Sequence, residues 1–71
     1  MLTKQQRKVL QFLVDNPDED IVIEGRMAFY GNETTSVALI YSLLRLCVIS
    51  SDQYSEIRYS INETGKNLLM Q

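Results

Sequence analysis

Seventy-one residues set a ceiling of one domain, and an apolar share of 45% is enough for one compact core, which argues against disorder. A chain of this length buries only ~60% of its unfolded surface, so its stability is marginal. Nine acids against seven bases give a net charge of −2, without the basic excess usual in a nucleic-acid binder.

Taken in order, the chain opens on Thr3-x-x-Gln6, the spacing of a capping box. Val9, Leu10, Leu13 and Val14 follow as one apolar stripe, which predicts an amphipathic helix with Lys4, Arg7, Lys8 and Gln11 on its wet side. Phe12 falls at the stripe's edge. Pro17 disfavours helical geometry in the residue before it, so the helix stops by Asn16. The segment 17–20 lacks the alternating ligands and the glycine of a calcium loop and reads as a solvated acidic loop.

The β-branched run 21–23 predicts one strand, placed to pair with a hairpin further on and make a small three-stranded sheet. Glu24 to Tyr30 is expected as a short helix anchored inward by Met27. Gly31-Asn32 is expected to end it, since both tolerate the left-handed backbone of a tight turn.

A second, longer helix is expected from Thr34 to about Cys47, with N-cap candidates in Thr34, Thr35 and Ser36 and with Glu33 at the positive end of its dipole. A helical wheel sends Ser36, Val37, Ile40, Leu43, Leu44 and Cys47 inward. Thr34, Thr35, Ala38, Tyr41, Ser42 and Arg45 fall on the opposite stripe, bordered by Leu39 and Leu46. Hydroxyls and one arginine suit base edges and phosphates, alanine permits close approach, and the Lys and Glu that usually fill a wet face are missing. Met27, Gly31, Val37 and Ile40 sit at the offsets of a helix-turn-helix.

Two strands, at 48–50 and 57–61, then flank a polar tip at 51–56 that carries Gln53 and Tyr54. Tyr59 and Ile61 alternate with Arg58 and Ser60, as in a half-buried strand. Asn62 is expected to cap a last short helix bearing Leu68, Leu69 and Met70. Gly65 inside its first turn is expected to serve a close approach to another backbone.

The segment from Arg58 to Leu69 resembles the strand-to-helix ending of bacterial winged-helix regulators. Tyr59, Ile61, Asn62, Gly65, Leu68 and Leu69 occupy the places of their aromatic, aliphatic, capping, glycine and apolar-pair positions. The start, Leu2-Thr3-x-x-Gln6-x-x-Val9-Leu10, is similar to the first helix of such domains. With the helix-turn-helix spacing between, the resemblance covers nearly the whole chain and points to the winged helix-turn-helix superfamily, of the MarR or PadR sort.

The fold it implies is α+β: a single winged-helix domain over 1–71, with three helices, a small antiparallel sheet with one wing, and a short C-terminal helix. The function it implies is a small bacterial or phage transcriptional regulator, acting on double-stranded DNA in the cytoplasm as a dimer. Under it, Thr34, Thr35, Ala38, Tyr41, Ser42 and Arg45 read the groove, and Gln53, Tyr54 and Arg58 steady the wing. Lys4, Arg7 and Lys8 reach flanking phosphate. The alternative is a winged-helix module that meets another protein and does not touch DNA, which the net acidity and the acids Asp52 and Glu56 at the wing favour.

Other classes are set aside. The chain has no histidine, no nucleophile paired with a base and no phosphate loop, so neither an enzyme nor a cofactor is expected. The single cysteine, Cys47, makes no internal disulfide and is expected as a buried small hydrophobe, and a zinc site is not expected. No apolar run has the length of a membrane span, and no apolar segment follows the basic start as in a signal peptide.

Overall fold

A computed structural model of the chain describes residues 2–52 and 55–70. The capping box forms at its start. The Thr3 hydroxyl accepts the Gln6 amide at 3.1 Å, and Gln6 Oε1 accepts the Thr3 amide at 2.9 Å. Helix α1 (Lys4–Asp15) buries Gln6, Val9, Leu10 and Leu13. Val14, expected with the inward stripe, stays exposed. The main-chain and side-chain nitrogens of Asn16 both donate to the Phe12 carbonyl and close the helix ahead of Pro17.

Residues 21–36 hold the main departure from the sequence expectation. They form a three-stranded meander: β1 (Ile21–Glu24), β2 (Met27–Tyr30) and β3 (Glu33–Ser36). The helix expected over 24–30 is absent. Glu24 pairs with Met27 and Tyr30 with Glu33, so the turns are the two-residue loops Gly25-Arg26 and Gly31-Asn32. Gly25 (φ 64°) and Gly31 (φ 61°) take the left-handed region while Arg26 and Asn32 do not, the pattern of a II′ hairpin turn. The left-handed glycine at 31 was expected, but it links two strands and does not end a helix. Burial alternates along β2, with Met27 and Phe29 exposed and Ala28 and Tyr30 buried. That period of two belongs to a sheet with one dry face, and it puts Met27 outside, not in the core.

The second helix is correspondingly shorter. Thr34 and Thr35 lie in β3, opposite Phe29 and Ala28, and α2 runs over Val37–Arg45. Ser36 is its N-cap, its hydroxyl accepting the Leu39 amide at 3.2 Å. Two β-branched residues beside a sheet edge gain more from strand pairing than from a helical first turn. The helix ends in a Schellman motif: Val48 N–H donates to the Leu43 carbonyl and Cys47 N–H to the Leu44 carbonyl. Cys47 takes the left-handed position (φ 59°) and is exposed, contrary to the buried place expected for it.

Strands β4 (Ile49–Asp52) and β5 (Ser55–Ile61) form the expected hairpin, and β1 pairs with β5 through Ile21–Tyr59 and Val22–Arg58. The five strands run β3-β2-β1-β5-β4, all antiparallel. Asn62 caps α3 (Glu63–Leu69), its Oδ1 accepting the Gly65 amide at 2.9 Å. Its Nδ2 donates to the Cys47 carbonyl and the Ser50 hydroxyl, tying the last helix to the corner after α2.

The molecule is thus an α+β domain of three helices and a five-stranded antiparallel sheet among the described residues, with no fourth helix. Ile21, Ala28, Tyr30 and Ile49 on the inner sheet face share one core with Val9, Leu10, Leu13, Ile40 and Leu43 from the helices. Among the described residues no helix is long and apolar enough to cross a membrane.

Candidate partner-binding surface

The stripe expected on the second helix is reduced to three residues. Ala38, Tyr41 and Arg45 are exposed and stand at i, i+3 and i+7, which places them along one side of α2. Tyr41 is 52% exposed. Leu46, just past the helix, extends this surface with an exposed apolar side chain.

Ser42 does not belong to it. The side chain is half-buried, and its hydroxyl donates to the Leu39 carbonyl at 2.5 Å and accepts from Gln6 Nε2 at 3.0 Å. Gln6 is itself buried and also holds the capping box, so the chain Thr3–Gln6–Ser42–Leu39 is a polar link between α1 and α2. Sequence spacing placed Ser42 with the wet stripe because a wheel does not show which helix crosses over it.

Thr34 is exposed and Thr35 half-buried, both on the edge strand and off the helix. Arg58 is exposed on β5, in register with Val22. Alternation along β5 puts Arg58 on the sheet face away from the helices, so it is not brought together with Tyr41 and Arg45. Gln53 and Tyr54 lie outside the described residues. Lys4 and Lys8 are exposed one turn apart on α1. Arg7 is engaged elsewhere: its Nη1 donates to the Leu69 carbonyl at 3.2 Å, where the last turn of α3 needs donors.

Charge is therefore dispersed. Arg26 sits in the first hairpin turn, and Lys66 faces Glu63 at 3.5 Å in a solvent-exposed pair that contributes little. Among the described residues no group of three or more potential metal ligands is brought together.

A second surface emerges that the sequence expectation missed. Val22, Phe29 and Thr34 lie in register across β1, β2 and β3, with Arg58 beyond Val22. Met27, two residues from Phe29, shares their side of the sheet. Met27 and Phe29 are 42% and 37% exposed. The signal for it in the sequence is the alternation of 27–30, which is also compatible with the helix expected there. An open cleft of about 420 Å³ is lined by Leu13 and Val14 of α1, Glu19 of the loop after it, Ile61 of β5 and Lys66 of α3. Every buried side-chain polar atom among the described residues has a hydrogen-bond partner.

No family model, no curated protein and no solved structure matches this chain.

Proposed function

We propose that this chain is a small DNA-binding transcriptional regulator of winged-helix type, in which the β2–β3 hairpin stands in for the middle helix of the helix-turn-helix. The observation that carries the proposal is the exposed side of α2. Among the described residues the side chains of Ala38, Tyr41 and Arg45 make no hydrogen bond or ion pair, and their helix leads directly into the β4–β5 hairpin. The reading is supported by α1, β1, α2, β4 and β5 following one another in that order, with β2 and β3 inserted before α2, and by β1 pairing with β5.

In this function α2 enters the major groove. Ala38 permits close approach, Tyr41 and Arg45 contact bases and phosphates, and the β4–β5 hairpin acts as the wing. Lys4 and Lys8 reach flanking phosphate, and Thr34 lies at the approach to the helix. The regulator works in a bacterial or phage-infected cytoplasm, without catalysis. Because few cations are free to meet phosphate, binding is weak and its salt dependence shallow, with log K falling by roughly 0.9 per log unit of salt for each phosphate neutralised.

Fluorescence anisotropy with random duplex DNA at low salt tests this. Binding in the micromolar range that weakens several-fold in Arg45→Ala is expected. No binding at high micromolar protein contradicts it. A protein-binding role is favoured by one observation, the exposed Met27 and Phe29 on an open sheet face beside a net charge of −2. Its sign is a stoichiometric protein partner recovered in a pulldown that nuclease leaves intact.

A further inference from the structure

The two edges of the sheet differ in how they are guarded. The β4 edge is interrupted by a register shift at Ser51/Asp52, and the Ser50 hydroxyl is held by Asn62. The β3 edge is less guarded. Glu33-Thr34-Thr35-Ser36 contains no proline, no lysine and no bulge, Glu33 is its one charged residue, and all but the half-buried Thr35 are exposed. Threonine also favours the extended chain.

The direction of each β3 backbone group follows from the hairpin. In a two-residue turn the flanking residues Tyr30 and Glu33 form a hydrogen-bonded pair, and alternation makes Ala28 and Thr35 the next one. Glu33 and Thr35 therefore direct their N–H and C=O groups to β2. Thr34 directs both of its groups outward, and Ser36 directs its N–H outward. Ser36 keeps extended dihedrals (φ −76°, ψ 149°), so the edge continues to the first turn of α2.

The geometry points to a second copy of this chain as the occupant of the β3 edge, paired antiparallel about Thr34. In that register each Thr34 exchanges N–H···O=C bonds with Thr34 of the second copy, and each Ser36 N–H reaches the Asn32 carbonyl of the other. Glu33 faces Thr35 of the second copy, so no like charges oppose each other in the pairing. The product is one continuous sheet across both copies. It deepens the dimer expected of a regulator but does not depend on DNA binding, and it is read without DNA.

The test is sedimentation equilibrium over a concentration series under reducing conditions, which keep the exposed Cys47 from cross-linking copies. The wild type is compared with Thr34→Pro. The Thr34 amide serves no bond within the chain, so proline there is compatible with an edge strand and removes only the outward donor. The wild type moves from 8.2 kDa toward twice that mass as concentration rises. Thr34→Pro keeps a native circular dichroism spectrum and associates about thirtyfold more weakly, the effect of losing the reciprocal Thr34 bonds. If Thr34→Pro fails to fold, Thr34→Lys takes its place: it keeps the main-chain groups but sets two lysines opposite each other in the pairing, and is expected to weaken association several-fold. Hydrogen exchange supplies an independent readout: the Thr34 amide is protected at high concentration and exchanges freely at low. A wild type that stays at 8.2 kDa at millimolar concentration overturns the proposal. So does association that survives Thr34→Pro or Thr34→Lys but is lost in Phe29→Lys, which would place the contact on the open sheet face.

Discussion

Gly65 lies so close to Val48 that a β-carbon on it would collide with the Val48 carbonyl oxygen and would stand 2.7 Å from Ile61 Cγ1. The same carbonyl accepts the Asn62 amide at 3.1 Å, and Val48 is fully buried, so neither side has room to yield. Alanine is the better helix former by ~1 kcal/mol. Overpacking outweighs that gain, and Gly65→Ala is expected to destabilise the domain by about 2 kcal/mol net. Urea denaturation measures it; an unchanged or raised midpoint contradicts the contact.

The two turn glycines differ in a way that separates backbone strain from crowding. A β-carbon on Gly25 meets nothing within 4 Å, so Gly25→Ala carries only the left-handed penalty of ~1–2 kcal/mol. A β-carbon on Gly31 lies 2.6 Å from the tip of the Phe12 ring, which rests edge-on against Tyr30 at 5.3 Å between centroids. Gly31→Ala displaces that ring as well and is expected to cost about 1 kcal/mol more than Gly25→Ala. Thermal or urea melts of the two variants show the order, and equal losses contradict it.

Cys47 occupies the position where a helix most often ends in glycine. Its φ of 59° strains an L-residue, and its exposed side chain contributes no buried packing. Cys47→Gly is therefore expected to stabilise the domain by roughly 1 kcal/mol, while Cys47→Ser leaves it near neutral. A lower denaturation midpoint for Cys47→Gly contradicts this account of the helix end.

Both ends of the first helix and the start of the last were legible because caps are written in short local spacings. Thr3 with Gln6, Asn62 with Gly65, and Pro17 after Asn16 each satisfy nearby backbone groups, whatever the rest of the chain does. The strand at 21–23 and its pairing to the later hairpin followed from β-branching and alternation. The segment 24–36 was not legible in the same way. Met27 to Tyr30 is only two periods of a strand, too short to exclude a helical turn, and Gly31 fits a helix end as well as a hairpin. Thr34 and Thr35 suit an N-cap or a strand equally, and the choice belongs to the neighbouring strand β2. The left-handed place of Cys47 and the inward turn of Ser42 depend on contacts far along the chain, with Asn62 and Gln6.

The link from Gln6 to Ser42 sets how α2 lies on α1. Ser42→Ala leaves the buried Gln6 amide without its acceptor, and Gln6→Leu opens both the capping box and the Ser42 bond. Each single variant is expected to lose about 1–2 kcal/mol. The double variant is expected to lose less than the sum, with a coupling of roughly 1 kcal/mol. A double-mutant cycle in urea gives the coupling, and strict additivity contradicts the bond.

The most direct measurement of the proposed function is an amide NMR titration of the protein with duplex DNA at low salt. Shifts are expected to concentrate at Ala38, Tyr41 and Arg45 on α2, with smaller ones at Lys4, Lys8 and the β4–β5 hairpin, and to fade as salt is raised. A spectrum unchanged at high micromolar DNA, or shifts confined to Val22, Met27 and Phe29 on the sheet face, would contradict it.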